Sequence, residues 1–200
     1  MEFVRASMGS DLHEKLCFVP NTFKRMKTSP AIVSLFVLSL VAGPLVRGAE
    51  QGPKSAEAGF KLMEAERLGK LRYEMKAKEV VELCGKAASK GAVELWEAVG
   101  LHMQEWKYSA LGLELQMSAE KKGGEQSVFM ISATQPCKLA TTRGIQIGST
   151  EKEVVKAYGE LKGEETEPGK TFVAGSMVGG VIFTFEDGKV VEIFIGAAAE

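Results

Sequence analysis

One eight-residue string occurs twice in this chain, and that limits what it can become. Lys78-Glu79-Val80-Val81-Glu82-Leu83-Cys84-Gly85 is answered 74 positions later by Lys152-Glu153-Val154-Val155-Lys156-Ala157-Tyr158-Gly159. Four residues and the closing glycine are identical. The flanks agree in type: Leu71 and Tyr73 precede the first string as an alternating apolar pair, and Ile145 and Ile147 precede the second. After each string come short strand-like runs, residues 111–117 corresponding to 179–185 and residues 129–133 to 193–197. A fixed internal period of this kind signals one supersecondary unit used again. A tandem duplication is therefore expected, over 59–137 and 138–200.

Each unit has simple physics. Thr150-x-x-Glu153 is a capping-box pattern and places a helix over about 151–158. Val154, Val155 and Tyr158 give it an apolar stripe, and Gly159 suits a left-handed position after the helix. In the first copy Lys76 stands where Thr150 sits, so the helix over 77–84 is expected to be less well capped. Two turns do not persist alone, so each helix must lie on a sheet. Val181, Phe183 and Phe185 alternate with Ile182 and Thr184. Asp187-Gly188 then signals a tight hairpin, and Val191, Ile193 and Ile195 resume the alternation. Strands are expected in the first unit over roughly 92–97, 101–108, 111–118 and 127–134. Residues 60–67 read as either a strand or a helical turn. The fold class is α+β: two tandem units, each a short helix packed on an antiparallel β-meander sheet. A partner would be met by a sheet face or by a groove that the two sheets could frame.

The N-terminus reads as an address. Phe23-Lys24-Arg25-Met26-Lys27 is cationic, residues 31–42 carry no charge, Gly43-Pro44 breaks any helix, and Val46-Arg47-Gly48 offers small or apolar residues at the cleavage positions. This is the layout of a secretory signal peptide, with cleavage after Gly48, or second after Ala42. Residues 1–48 are thus an N-terminal extension and signal peptide, and 49–58 a polar linker. The true start is Met1 or Met26. Residues 31–46 are too short to span a bilayer comfortably, so contact with a membrane is expected only if that segment stays uncleaved. The expected location is exported, periplasmic or extracellular. No cysteine directly follows a plausible cleavage point to carry a lipid.

Composition then excludes function classes. The 25 Lys and Arg against 26 Asp and Glu leave a net charge of -1, so no basic excess supports nucleic-acid binding. His occurs only at 13 and 102, Asp only at 11 and 187, Cys only at 17, 84 and 137. That stock assembles no histidine-rich metal site, zinc finger or Asp-rich calcium loop, and no cofactor is expected.

The string Thr142-Arg143-Gly144-Ile145-Gln146-Ile147-Gly148-Ser149-Thr150, with Glu153-Val154 and Tyr158-Gly159, resembles a theme of small exported bacterial proteins. In that theme a "G-x-x-x-G-x-(S/T)-x-x-E-V" run precedes a short helix ending "Y-G" or "L-G" and a β-meander. It is similar to the fold shared by the β-lactamase-inhibitor protein and the SmpA/OmlA small outer-membrane lipoproteins. The resemblance spans most of 69–200. It implies the fold and carries no function with it.

Candidate chemistry is sparse. His102 shares a strand face with Gln104 and Trp106. A serine hydrolase would need it with Asp187 or Glu105 as orienting carboxylate, yet no Gly-x-Ser-x-Gly elbow exists: Gly148-Ser149 opens a helix and Gly175-Ser176 reads as loop. Cys84 and Cys137 permit a disulfide in an oxidising setting; separate thiols are the first reading and a bridge the second. Gly144-x-x-x-Gly148-Ser149-Thr150 lacks the lysine of a phosphate loop. Glu160, Glu164, Glu165 and Glu167 read as a solvated loop. Trp96, Trp106 and Tyr108 are core by strand spacing, or else a partner-contact surface, because Trp and Tyr dominate binding hot spots. The expectation is a non-enzymatic binding or scaffolding protein whose ligand is another protein. A membrane-tethered envelope accessory protein, or a hydrolase using His102, is the alternative.

Overall fold

The computed structural model describes residues 53–197. The expected signal segment, both candidate start residues and Cys17 lie outside the described residues. Among the described residues three α-helices and eight strands follow one another: α1 (Pro53–Ala65), α2 (Ala77–Cys84), β1 (Ser89–Lys90), β2 (Glu94–Trp96), β3 (Leu101–Tyr108), β4 (Leu113–Ala119), β5 (Ser127–Ala133), α3 (Glu151–Tyr158), β6 (Thr171–Ser176), β7 (Gly179–Glu186) and β8 (Lys189–Gly196). The fold is α+β with an antiparallel sheet. α1 settles most of the ambiguous stretch 60–67 as helix, ending at Ala65, and it begins inside the stretch expected to be a linker. Gly175-Ser176, expected in a loop, ends β6.

The strands form one sheet rather than two. Its order is β1-β3-β4-β5-β8-β7-β6, with β2 also paired to β3. β5 and β8 join the two meanders through Ile131↔Ile195, Ser132↔Phe194 and Ala133↔Ile193. Of the two alternatives, sheet face or groove between sheets, the groove gives way to a continuous ladder. The hairpin at Asp187 (φ 50°) and Gly188 (φ 71°) has both central residues left-handed, which matches the twist of the strands it joins.

Both meanders carry a bulge at the same place. Gln116 pairs Met130 while Met117 pairs Val128, leaving Phe129 extra; Thr184 pairs Glu192 while Phe185 pairs Val190, leaving Val191 extra. The second bulge corrects the simple alternation over 191–195, because a one-residue insertion turns Val190, not Val191, into the core.

The helices owe their starts to their caps. Thr150 Oγ1 accepts from Glu153 N at 3.3 Å, and Glu153 Oε2 accepts from Thr150 N at 2.7 Å, completing the box. At α2 only the reciprocal half exists: Glu79 Oε2 accepts from Lys76 N at 3.0 Å, while the lysine head has no lone pair to offer. Those hydrogen bonds to Thr150 hold the Glu153 carboxyl below its ordinary value. Their contribution is thus present above the usual carboxylate range and lost as pH falls through the folded-state value. In both places the cap residue bridges the start of a last strand, Lys76 to Ser127 and Thr150 to Lys189. Gly159 departs from expectation: its φ of -58° is right-handed, and the chain runs on into a tight turn over Gly159–Leu161.

One face of the sheet and all three helices share the main core. Leu62 and Met63 of α1, Val80 of α2, and Val154 and Tyr158 of α3 meet Trp106, Leu115, Ile131, Phe183 and Ile193 there. α1 packs on β6 and β7, at the opposite end of the sheet from β1. Glycines allow the approach: a Cβ on Gly59 would collide with the Gly179 carbonyl, and one on Gly175 would meet the Gly59 Cα.

Two local defects before α2 give a test. Glu74 holds φ 59°, where Gly148, the residue 74 positions on, holds φ 89°. Glu74→Gly should stabilise by roughly 0.5–1 kcal/mol, because the left-handed conformation costs a side chain more than it costs glycine. Lys76→Thr should add about 1 kcal/mol by completing the α2 box. Urea unfolding of the two variants reads both, as raised midpoints with an unchanged slope.

Candidate functional site

The sheet has a second face, away from the three described helices. Its side chains follow from the register. β3 contributes Met103, Glu105 and Lys107; β4 contributes Ser118, Gln116 and Glu114; β5 contributes Met130 and Ser132; β8 contributes Phe194 and Glu192; β7 contributes Ile182 and Thr184. At one corner Leu101, Met103 and Phe129 form a small separate cluster, closed over by Tyr73, whose ring lies 6.2 Å from that of Phe129. Burial pushes the Tyr73 hydroxyl up to about 12. Toward the middle, Met130 and Phe194 are half-buried, on the face that the described helices do not cover.

Glu192 is the polar feature of this face. Ser132 Oγ donates to its Oε1 at 2.8 Å, and Thr184 Oγ1 donates to its Oε2 at 3.5 Å. Two hydroxyls from neighbouring strands thus fix a partly exposed carboxylate while leaving it lone pairs toward solvent. Glu105 and Glu114 on the same face share Lys107, at 3.2 and 3.4 Å. Among the described residues Glu192 has no such cation. The face combines apolar Met130 and Phe194 with one oriented, uncompensated negative charge.

The residues singled out from sequence are scattered by the fold. Trp106 and Tyr108 are only 3% exposed, so they belong to the core and not to a contact surface. Trp106 Nε1 donates to Gln104 Oε1 at 3.0 Å, Lys90 Nζ stands 3.3 Å over its ring, and Tyr108 Oη donates to the Gly85 carbonyl. Trp96 differs. It lies with Leu95 on the exposed edge strand β2, at 37% and 53% exposure. The three aromatics therefore make no common site.

His102 pairs with Leu95 and Ala119, and its Nδ1 has no partner. Neither expected carboxylate reaches it. Glu105 stands an odd number of residues along the strand, hence on the other face, paired to Lys107. Asp187 lies in the β7–β8 turn, three or more strand spacings away, about 14 Å or beyond. The Ser176 hydroxyl is buried and donates to the Gly179 carbonyl. The amides around Gly148 are spent as well: Gly148 N donates to Val190 O, Ser149 N to Gln146 O and Glu151 N to Gly188 O. Of the glutamates at 160–167, Glu160 pairs with Arg143 and Glu167 with Lys170. Among the described residues no group of three or more His, Cys, Asp or Glu is gathered to hold a metal. Cys84 and Cys137 are both free thiols.

Sequence reasoning passed over the buried carboxylate of Glu66, 3% exposed. Its oxygens accept from Tyr158 Oη at 2.8 Å, Thr142 N at 2.8 Å and Arg67 N at 3.0 Å. Burial raises the Tyr158 hydroxyl far above its ordinary value. Arg143 covers the Tyr158 ring at 4.9 Å, and Phe183 meets it at 5.0 Å. One glutamate in an unpatterned stretch gives no sequence signal for this role.

Comparison with known proteins found no family model, no curated protein and no solved structure that matches the chain.

The Glu66 knot is open to measurement. Tyr158→Phe removes one of three donors from a buried charge and should cost about 2 kcal/mol. In a double-mutant cycle with Glu66→Gln, the two losses should fall short of additivity, because each single change already breaks the shared bond.

Proposed function

We propose that this chain is an exported, non-enzymatic binding or scaffolding protein of the periplasm or extracellular space, and that its ligand is another protein. The observation carrying the reading is Glu192, held by Ser132 and Thr184 on a helix-free face beside Met130 and Phe194. An apolar patch around one oriented carboxylate suits a partner that presents a lysine or arginine among apolar side chains. The scatter of His102, Glu105 and Asp187 favours binding over hydrolysis. Export is supported by the cationic residues 23–27, the uncharged run 31–42 and the small residues near Gly48.

The scaffold is read as a duplicated unit. Support comes from the two bulges, the two cap residues that bridge a final strand, and the central pairing Ser132↔Phe194. Matching residues 127–133 to 189–195 makes Ser132 and Phe194 counterparts that face each other, as a two-fold relation between copies requires. That match shifts the 129–133 correspondence by two residues from the one drawn on sequence alone.

Affinity capture from envelope extract tests the binding face. Wild type should retain a partner that Glu192→Lys loses by about tenfold or more, or 1.4 kcal/mol. Lys122→Glu, in the exposed turn between β4 and β5, should capture as wild type does; equal capture by all three chains overturns the assignment of the face. Export is read separately from the mass of the mature protein. Processing after Gly48 predicts a chain beginning Ala49-Glu50, whereas full mass in a membrane fraction supports the tethered alternative.

A further inference from the structure

Phe194 does not stand up from the sheet. A Cβ on Gly196, two residues further along β8, would lie 3.2 Å from the Phe194 Cζ, so the phenylalanine leans along its own strand and rests over the glycine. Met130 crosses from β5 to the same spot, its Cγ 2.9 Å from that Cβ. A side chain at 196 would push both away. The glycine thus seats a half-buried ring low on the face that the described helices do not cover.

Glu192 stands two residues back on that face, its Cα about 7 Å from that of Phe194. Its carboxylate is led toward the ring. Ser132 is the cross-strand partner of Phe194, and by donating to Glu192 Oε1 at 2.8 Å it draws the carboxylate forward from its own row. Thr184, opposite Glu192 on β7, donates to Oε2 at 3.5 Å. Each oxygen takes one hydroxyl and keeps room for a further donor. Lys107 lies three strands away, about 14 Å, between Glu105 and Glu114. These three glutamates and one lysine leave the face negative, so a second copy of it would bring carboxylate against carboxylate.

We propose that Glu192 and Phe194 form a subsite for an arginine of the protein partner, an assignment that rests on this face being the binding face. Two guanidinium N–H groups pair with the two carboxylate oxygens, and the planar cation lies on the Phe194 ring. A lysine brings one compact, strongly hydrated ammonium instead. It cannot match both oxygens in one plane, and it gives up more hydration to sit on a ring. The subsite therefore selects arginine over lysine, which attraction to a bare negative charge would not do.

The test titrates the full chain, labelled at its methionine methyls, with acetyl-Leu-Arg-Leu-amide and with the lysine peptide of the same design. The Met130 signal is assigned by its loss in Met130→Leu. The arginine peptide should shift that signal at about fivefold lower concentration than the lysine peptide. Phe194→Leu should bring the two peptides level. Ser132→Ala, which keeps both the charge and the ring, should weaken the arginine peptide more than the lysine peptide. Equal titration of the parent chain, no shift with either peptide, or a preference that survives Phe194→Leu overturns the arginine subsite. The binding face outlives those results wherever Glu192→Lys still loses the captured partner, whereas capture indifferent to Glu192 overturns both.

Discussion

A single buried carboxylate ties this molecule together. Glu66 follows α1, while its three donors come from its own neighbour, from the loop before α3 and from the end of α3. A charge with this little exposure is tolerable only when its lone pairs are filled. The three segments must therefore arrive together or leave the carboxylate stranded. The knot also anchors Tyr158, and through its ring contact with Phe183 it fixes how α3 lies on β7. Segment 67–71 is held to 140–142 alongside it, Gly69 N donating to Ala140 O and Thr142 N to Arg67 O. Residues more than seventy positions apart are locked as one.

The same logic explains why the two halves do not behave as two domains. The β5–β8 pairing removes the edge each meander would otherwise expose, and an open edge is a hazard for unwanted pairing. α1 reinforces the join, because it precedes the first meander in sequence yet packs on β6 and β7 of the second. The core that results runs from Trp106 to Phe172 without interruption. Of the two outer edges, that of β6 is met by the segment around Lys162 and Gly163, which bridges Ala174 and donates to the Val173 carbonyl. The other is short and broken, β1 with two residues and β2 with three, which limits strand addition even though Leu95 and Trp96 are exposed there.

Much of this was legible in the residues. α2 and α3 lie where the caps and valine stripes placed them, and Asp187-Gly188 makes the expected hairpin. Those signals are local, set by hydrogen bonds within a few residues. What escaped is non-local or masked. β6 is Thr-Phe-Val-Ala-Gly-Ser, and its glycine and serine imitate a loop although Gly175 is needed for the approach of Gly59. The bulges cannot be seen without the partner strand, so Val191 took the place of Val190. Trp106 and Tyr108 sit on the expected strand, but spacing alone does not distinguish a face under helices from a free one. Glu192 escaped for a similar reason, since its meaning lies in Ser132, sixty residues away.

The contrast between the two faces bears on what the molecule can do. On the face under the helices, Gln104 joins Trp106, Gln126 and the Gly91 carbonyl in one network, while His102 Nδ1 stays without a partner. On the free face Lys107 settles two glutamates, while Glu192 is oriented by hydroxyls that fix its position without cancelling its charge. A group oriented in this way has already given up much of the freedom that binding would otherwise remove. Half-buried Phe194 and Met130 alongside supply apolar area that no helix uses. A face solely for solubility would need neither the orienting hydroxyls nor an uncovered phenylalanine. Together they set this side of the sheet apart from the side that the three described helices cover, and the proposed recognition rests on that difference.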